Sequence, residues 1–152
     1  MTPARPARRQ APPFSTRDVH RVSEYFDGDL EPTYAFVQSV WLPAASKGIT
    51  ALNECMRRLD MRASLFMCDH LRQGAISVGA RTFCADVELI AAAISAEQWI
   101  AAGYLSRRLI VHVTIMTRWL KRRLAKFSSA ASAYQITQHI VDEEPVEASF
   151  FG

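Results

Sequence analysis

An exposed imidazole with clear space beside it can act as a nitrogen nucleophile. The segment Cys68-Asp69-His70-Leu71-Arg72-Gln73-Gly74-Ala75 has the residues to build one. At 100° per residue, Leu65, Cys68, the stem of Arg72, Ala75 and Val78 gather on one side of a helix, with Met61, Ser64 and Leu71 flanking them. His70 falls on the other side, toward solvent. Gly74 comes one turn later and removes a side chain where the ring needs access. A mid-helix glycine costs about 1 kcal/mol against alanine, so its place beside the histidine asks for a reason at the surface. Neutral imidazole is a nucleophile at physiological pH because its ordinary pKa is about 6.5. Phe66, at i−4 from His70, also reads as exposed. It either anchors a partner at a docking face or is covered by the first helix.

The elements that must hold this segment are helical. From Ser15 to Phe127 the apolar spacing follows the three-four rhythm, and no stretch sustains period-two alternation. A short first helix opens at Ser15 or Thr16 and ends at the Asp27-Gly28-Asp29 turn. A second, Leu30–Arg58, carries Tyr34, Val37, Val40, Trp41, Ala44, Ile49, Leu52 and Met56 inward, with Pro43 kinking it or starting a new turn. The third spans Met61–Val78 with Gly79 as its cap, and the fourth runs from Ala80 to Ser95. The fifth starts with Ser95 as cap and Glu97 near its dipole, and reaches Phe127. The fold class this predicts is all-α: an antiparallel four-helix bundle, up-down-up-down, with a short extra N-terminal helix. Residues 1–14 read as a disordered Pro/Arg-rich tail, 15–127 as the bundle and 128–152 as a mostly disordered tail. Within that last tail Gln135–Val141 suits a short helix or a docking strand.

Bulk properties narrow the class. The 152 residues suffice for one domain with a real core, and 49% hydrophobic with 22% charged residues is ordinary for a globular protein. Cys55, Cys68 and Cys84 lie in apolar helical patterns without metal-ligand spacing, and read as buried hydrophobes in a reducing, cytoplasmic setting. No run of 18 apolar residues exists, so no membrane span is expected. Met1–Pro13 has four prolines and three arginines but lacks the apolar stretch of a secretory signal. The net charge of +3 divides into a basic N-terminus, a basic Arg118–Lys126 run and acidic Asp18–Glu31 and Asp142–Glu147 segments. This is a polarised surface and not a continuous nucleic-acid stripe. Arg118–Lys126 reads as cations complementing a helix C-terminus, and nucleic acid is not an expected partner.

This order of signals resembles the histidine phosphotransfer (HPt) domains of two-component phosphorelays, from Val22 to Leu124. The resemblance includes Tyr25-Phe26-Asp27-Gly28-Asp29, the long second helix with its proline, the Leu59-Asp60 connection, the histidine helix, and Gly79-Ala80. The family motif is His-x-Leu-Lys-Gly-Ser/Ala. In one frame His70 is the phosphohistidine, Gln73 replaces the lysine, Gly74 and Ala75 match, and Arg72 takes the apolar position. In the other, fixed on Val78-Gly79-Ala80, Leu71 and Arg72 match and Asp69 stands where the histidine belongs. The second frame gives an HPt-like adaptor that binds a receiver or kinase without taking phosphate. The wheel sets His70 farther from the core than Asp69 and aligns Gly74 with His70, and a helix end moves by one residue at little cost. We therefore read the His70 frame.

The resemblance implies a phosphocarrier, not a true enzyme, exchanging a phosphoryl group between His70 and receiver-domain aspartates of a hybrid sensor kinase and a response regulator. It implies a monomer with no cofactor of its own, the receiver supplying Mg²⁺. Arg72 and Gln73, within one turn of His70, would offer charge and an amide donor to phosphate oxygens. His112 reads as a hydrogen-bonded core histidine, and His20 and His139 as surface residues.

Overall fold

The protein is seen in a computed structural model that describes residues 12–150, with side chains described to residue 130. Its elements are α1 (Thr16–Ser23), a 3₁₀ turn (Glu24–Phe26), α2 (Leu30–Phe36), a π turn (Val37–Trp41), α3 (Leu42–Arg57), α4 (Met61–Val78), α5 (Arg81–Ser95) and α6 (Trp99–Phe150). The described residues contain no strand. Helix α3 packs on α4, α4 on α5, α5 on α6, and α6 on α3, closing a four-helix ring, while α1 lies against α2 and α4. Three-residue or shorter connections make successive bundle helices antiparallel, the arrangement read from the sequence.

Local signals explain the boundaries. Asp29 caps α2 by accepting from the Glu31 N–H at 3.2 Å, and Asp60 caps α4 by accepting from Ala63 N–H at 3.0 Å. Gly79 closes α4 with φ 76°, a left-handed value suited to glycine. The core along the ring is Leu52, Phe83, Ile90, Ile94, Leu109, Met116 and Leu120, all essentially inaccessible to water.

Four boundaries differ from the sequence reading. Phe14, assigned to the tail, is buried at 4% exposure against Trp41 and Trp119, because an apolar ring at the bundle's end removes more surface from water packed than free. Residues 1–11 lie outside the described residues. Ser95 does not cap the last helix but ends α5. Glu97, in the left-handed region at φ 58°, closes α5 by donating its N–H to Ile94 O, and α6 starts at Trp99. The last helix does not stop at Phe127. It continues to Phe150 through Ser128–Ser132 and the whole Gln135–Val141 segment, alanine being the best helix former and serine tolerated.

The fourth difference bears on the site. Pro43 does not simply bend the second helix. Proline has no N–H and its ring clashes with the carbonyl four residues back, and the turn before it widens so that Leu42 N–H donates to Val37 O. The extra residue shifts the register, so Val37, Leu42, Ala45, Ile49, Leu52 and Met56 form the buried face. Val40 and Ala44, predicted to face inward, are exposed.

No helix of the described residues is long and apolar enough to cross a membrane.

Candidate functional site around His70

The buried line of α4 is Ser64, Cys68, Leu71, Ala75 and Val78. Its centre lies nearer Leu71 and Ser64 than the sequence wheel had it, since α4 must pack against α3 and α5 together. About this centre His70 sits about 120° to one side and Asp69 about 140° to the other. Both are exposed. The expected ranking of His70 as farther from the core than Asp69 therefore gives way to a difference of side: His70 faces α3 and Asp69 faces α5.

On the α3 side, His70 borders a hollow of about 320 Å³ whose floor is Trp41, Ala45, Leu71 and Gly74, with Ala44, Gln73 and Ser77 around it. Two glycines let α3 and α4 approach here. A Cβ on Gly48 would stand 2.6 Å from Leu71 Cδ2, and one on Gly74 would stand 3.2 Å from Trp41 Nε1. Gly74 thus does more than open space for the imidazole, because it seats the edge of the Trp41 indole. The Ser77 hydroxyl donates to Gly74 O at 2.7 Å and borders the same hollow.

On the α5 side, Asp69 is engaged. Arg72 Nη2 donates to Asp69 Oδ1 at 2.9 Å, and Gln73 Nε2 donates to Oδ2 at 2.8 Å. The Asp69 carboxylate raises the Arg72 pKa, chiefly through that hydrogen bond. Arg72 lies over a groove with Val87, Glu88 and Ala91, away from His70. Arg72 and Gln73, expected to offer charge and an amide donor to phosphate oxygens on His70, both contact Asp69 here, and Arg72 does so on the flank away from the imidazole. Arg72 is an i,i+3 partner of Asp69, the natural geometry for opposite charges on a helix. Gln73 borders the hollow, and one N–H of its amide goes to the same carboxylate.

Phe66 is 71% exposed, one turn before His70 on the outer face, beside Cys55 and Met67. Helix α1 does not cover it; α1 packs at the other end of α4, where Ser15 N–H donates to Gly79 O at 2.9 Å. The sequence reading took Trp41 only as a core residue and missed that its indole edge lines this hollow. The signals for it were Pro43, two residues on, and Gly74 opposite.

The remaining histidines sit elsewhere. His112 Nε2 is 2.7 Å from Oδ2 of Asp86, which is buried at 3% exposure, and Arg108 Nη2 is 3.5 Å from Oδ1. The His112 contact is close but not aligned as a hydrogen bond, so it is a polar tie between α5 and α6. His20 is exposed on α1, and the His139 side chain lies outside the described residues.

No protein-family model matches the chain, and no curated protein sequence does. Among solved structures, the chain is similar to histidine-containing phosphotransfer protein B (HptB) from Pseudomonas aeruginosa, with a TM-score of 0.65 at 12% identity, over 77% of this chain and 98% of that one. At that identity the likeness establishes the fold, an HPt-type helical bundle.

Proposed function

We propose that the chain is a phosphorelay intermediate that accepts a phosphoryl group on His70 from the aspartyl phosphate of one receiver domain and returns it to the aspartate of another. The observation that carries this reading is an exposed imidazole over an open hollow, at the glycine-marked turn of α4, in a bundle with the fold of a phosphotransfer protein.

The chemistry follows from the exposure. The Nε2 lone pair attacks phosphorus in line with the acyl oxygen. The N–P bond forms as the O–P bond breaks, and the pair of electrons leaves with the aspartate carboxylate. Positioning and charge neutralisation do most of the work in such transfers, and Mg²⁺ on the receiver supplies the charge. Phe66 provides an apolar contact beside the reacting nitrogen for the visiting domain. The setting that fits this partner is the cytoplasm.

The test is incubation with receiver domains charged by acetyl phosphate in the presence of Mg²⁺. The expected result is acid-labile, base-stable label on the wild type and none on His70→Gln. A second reading is favoured by one observation: Arg72, the cation nearest His70 along the helix, is paired with Asp69 on the other flank. Receiver binding without label on the wild type would establish that reading, an adaptor that modulates the relay.

A further inference from the structure

We propose that the indole N–H of Trp41 donates a hydrogen bond to the phosphoryl group carried on His70. The inference rests on the reading of His70 as phosphoacceptor and deepens it.

Three observations support it. The Trp41 ring is fixed: it is 8% exposed and stands edge-on to Phe14 and Phe83, at centroid distances of 6.3 and 5.4 Å. Its nitrogen meets Gly74 at the hollow that also holds His70. Among the described residues, no hydrogen-bond acceptor pairs with that N–H. The nitrogen keeps contact with water at the hollow, not being among the buried polar atoms that lack a partner, so a phosphoryl oxygen would take the place of water on it. Trp41 and His70 line the same hollow, the space that a phosphoryl group on the imidazole would enter.

The chemistry suits an anion. No Asp, Glu, Lys or Arg lines the hollow, and Arg72 is tied to Asp69 on the other flank. A donor whose ring cannot turn needs no reorganisation as charge develops on the phosphoryl oxygens. The bond is charge-assisted on one side only, so it orients the group without trapping it as a buried cation would. The widened turn ahead of Pro43 offsets the register just before the indole, and the missing Cβ at Gly74 leaves its nitrogen uncovered. No covalent step passes through Trp41.

The experiment reads the indole directly. Trp41, Trp99 and Trp119 are the tryptophans of this chain, and the Trp41 indole ¹⁵N–¹H resonance is the one missing in Trp41→Phe. Charging the full chain with phosphoramidate, with ³¹P detection of phosphohistidine, is expected to move that resonance downfield and to slow its exchange with water. Charging of Trp41→Phe by a phosphorylated receiver is expected to fall about tenfold, the scale of one hydrogen bond to a charged group. Phosphohistidine that is present on the wild type and lost in His70→Gln, with an unmoved Trp41 resonance, would overturn the inference and leave His70 standing, even if Trp41→Phe charged slowly for structural reasons; phosphohistidine that survives His70→Gln unchanged would overturn both. Absence of phosphohistidine on the wild type would overturn both.

Discussion

At the scale of single residues, the side of α4 on which a group sits decides its chemistry. Asp69 and His70 are neighbours in the chain, yet one is held by two donors on the α5 flank and the other opens onto the α3 flank. For that reason His70→Gln is expected to abolish acid-labile label, whereas Asp69→Asn, which frees Arg72 and Gln73, is expected to retain it. The cysteines follow the same logic of surroundings. Burial pushes the Cys68 thiol up to about 11, and burial also raises Cys84. Since the thiolate is the nucleophile, iodoacetamide at pH 8 is expected to modify the half-exposed Cys55 first. Cys68 should react only on unfolding, which peptide mapping of the alkylated protein checks. Early labelling of Cys68 would mean that α4 is packed less tightly than described.

At the scale of elements, turns carry the specification that helix periodicity leaves open. The α3–α4 connection places Leu59 at φ 56°, with its side chain 62% exposed. A left-handed conformation costs an L-residue about 1–2 kcal/mol, and glycine offsets part of the relief by its greater freedom when unfolded, about 0.5–1 kcal/mol. Leu59→Gly is therefore expected to stabilise the protein by about 0.5–1 kcal/mol. A raised urea midpoint with an unchanged slope would show it. The widened turn at Val37–Trp41 is the converse case, in which a proline changes the register and with it the residues that face α4.

At the scale of the molecule, few polar ties lock the helices together among the described residues. Ser106 Oγ donates to Asn53 Oδ1 at 2.7 Å between α6 and α3, and Asp86 meets His112 and Arg108 between α5 and α6. The first helix is pinned by Arg81 Nε, which donates to Asp18 Oδ2 at 2.7 Å. A Cβ on Gly79 would stand 2.7 Å from Asp18 Cβ, so α1 and the α4–α5 corner meet without slack. The Arg81 hydrogen bond lowers the Asp18 pKa, burial working against it. A lowered carboxylate contributes stability above its unfolded value, about 3.9, and loses it as pH falls through the folded value. Docking of α1 is thus expected to weaken below about pH 4. Amide exchange at Val19 and Val22 should accelerate there in the wild type, and in Arg81→Gln this acid-dependent component should shrink, Ser15 and Arg21 still favouring the ionised Asp18.

The helical class, the order of the bundle and the candidate histidine were legible in the chain itself, because three-four apolar spacing, the Gly74 beside His70 and the Gly79 stop are local signals, whereas the capping by Asp29 and Asp60 was read there only as turn and connection. Phe14 was not legible as core, since its partners Trp41 and Trp119 are brought to it only by folding. Which flank His70, Asp69 and Arg72 occupy was settled by packing α4 between two neighbours at once, which moved the buried line toward Leu71. The indole edge at the hollow required a proline-widened turn on one helix to meet a glycine on another, a pairing across more than thirty residues that no single-helix wheel contains.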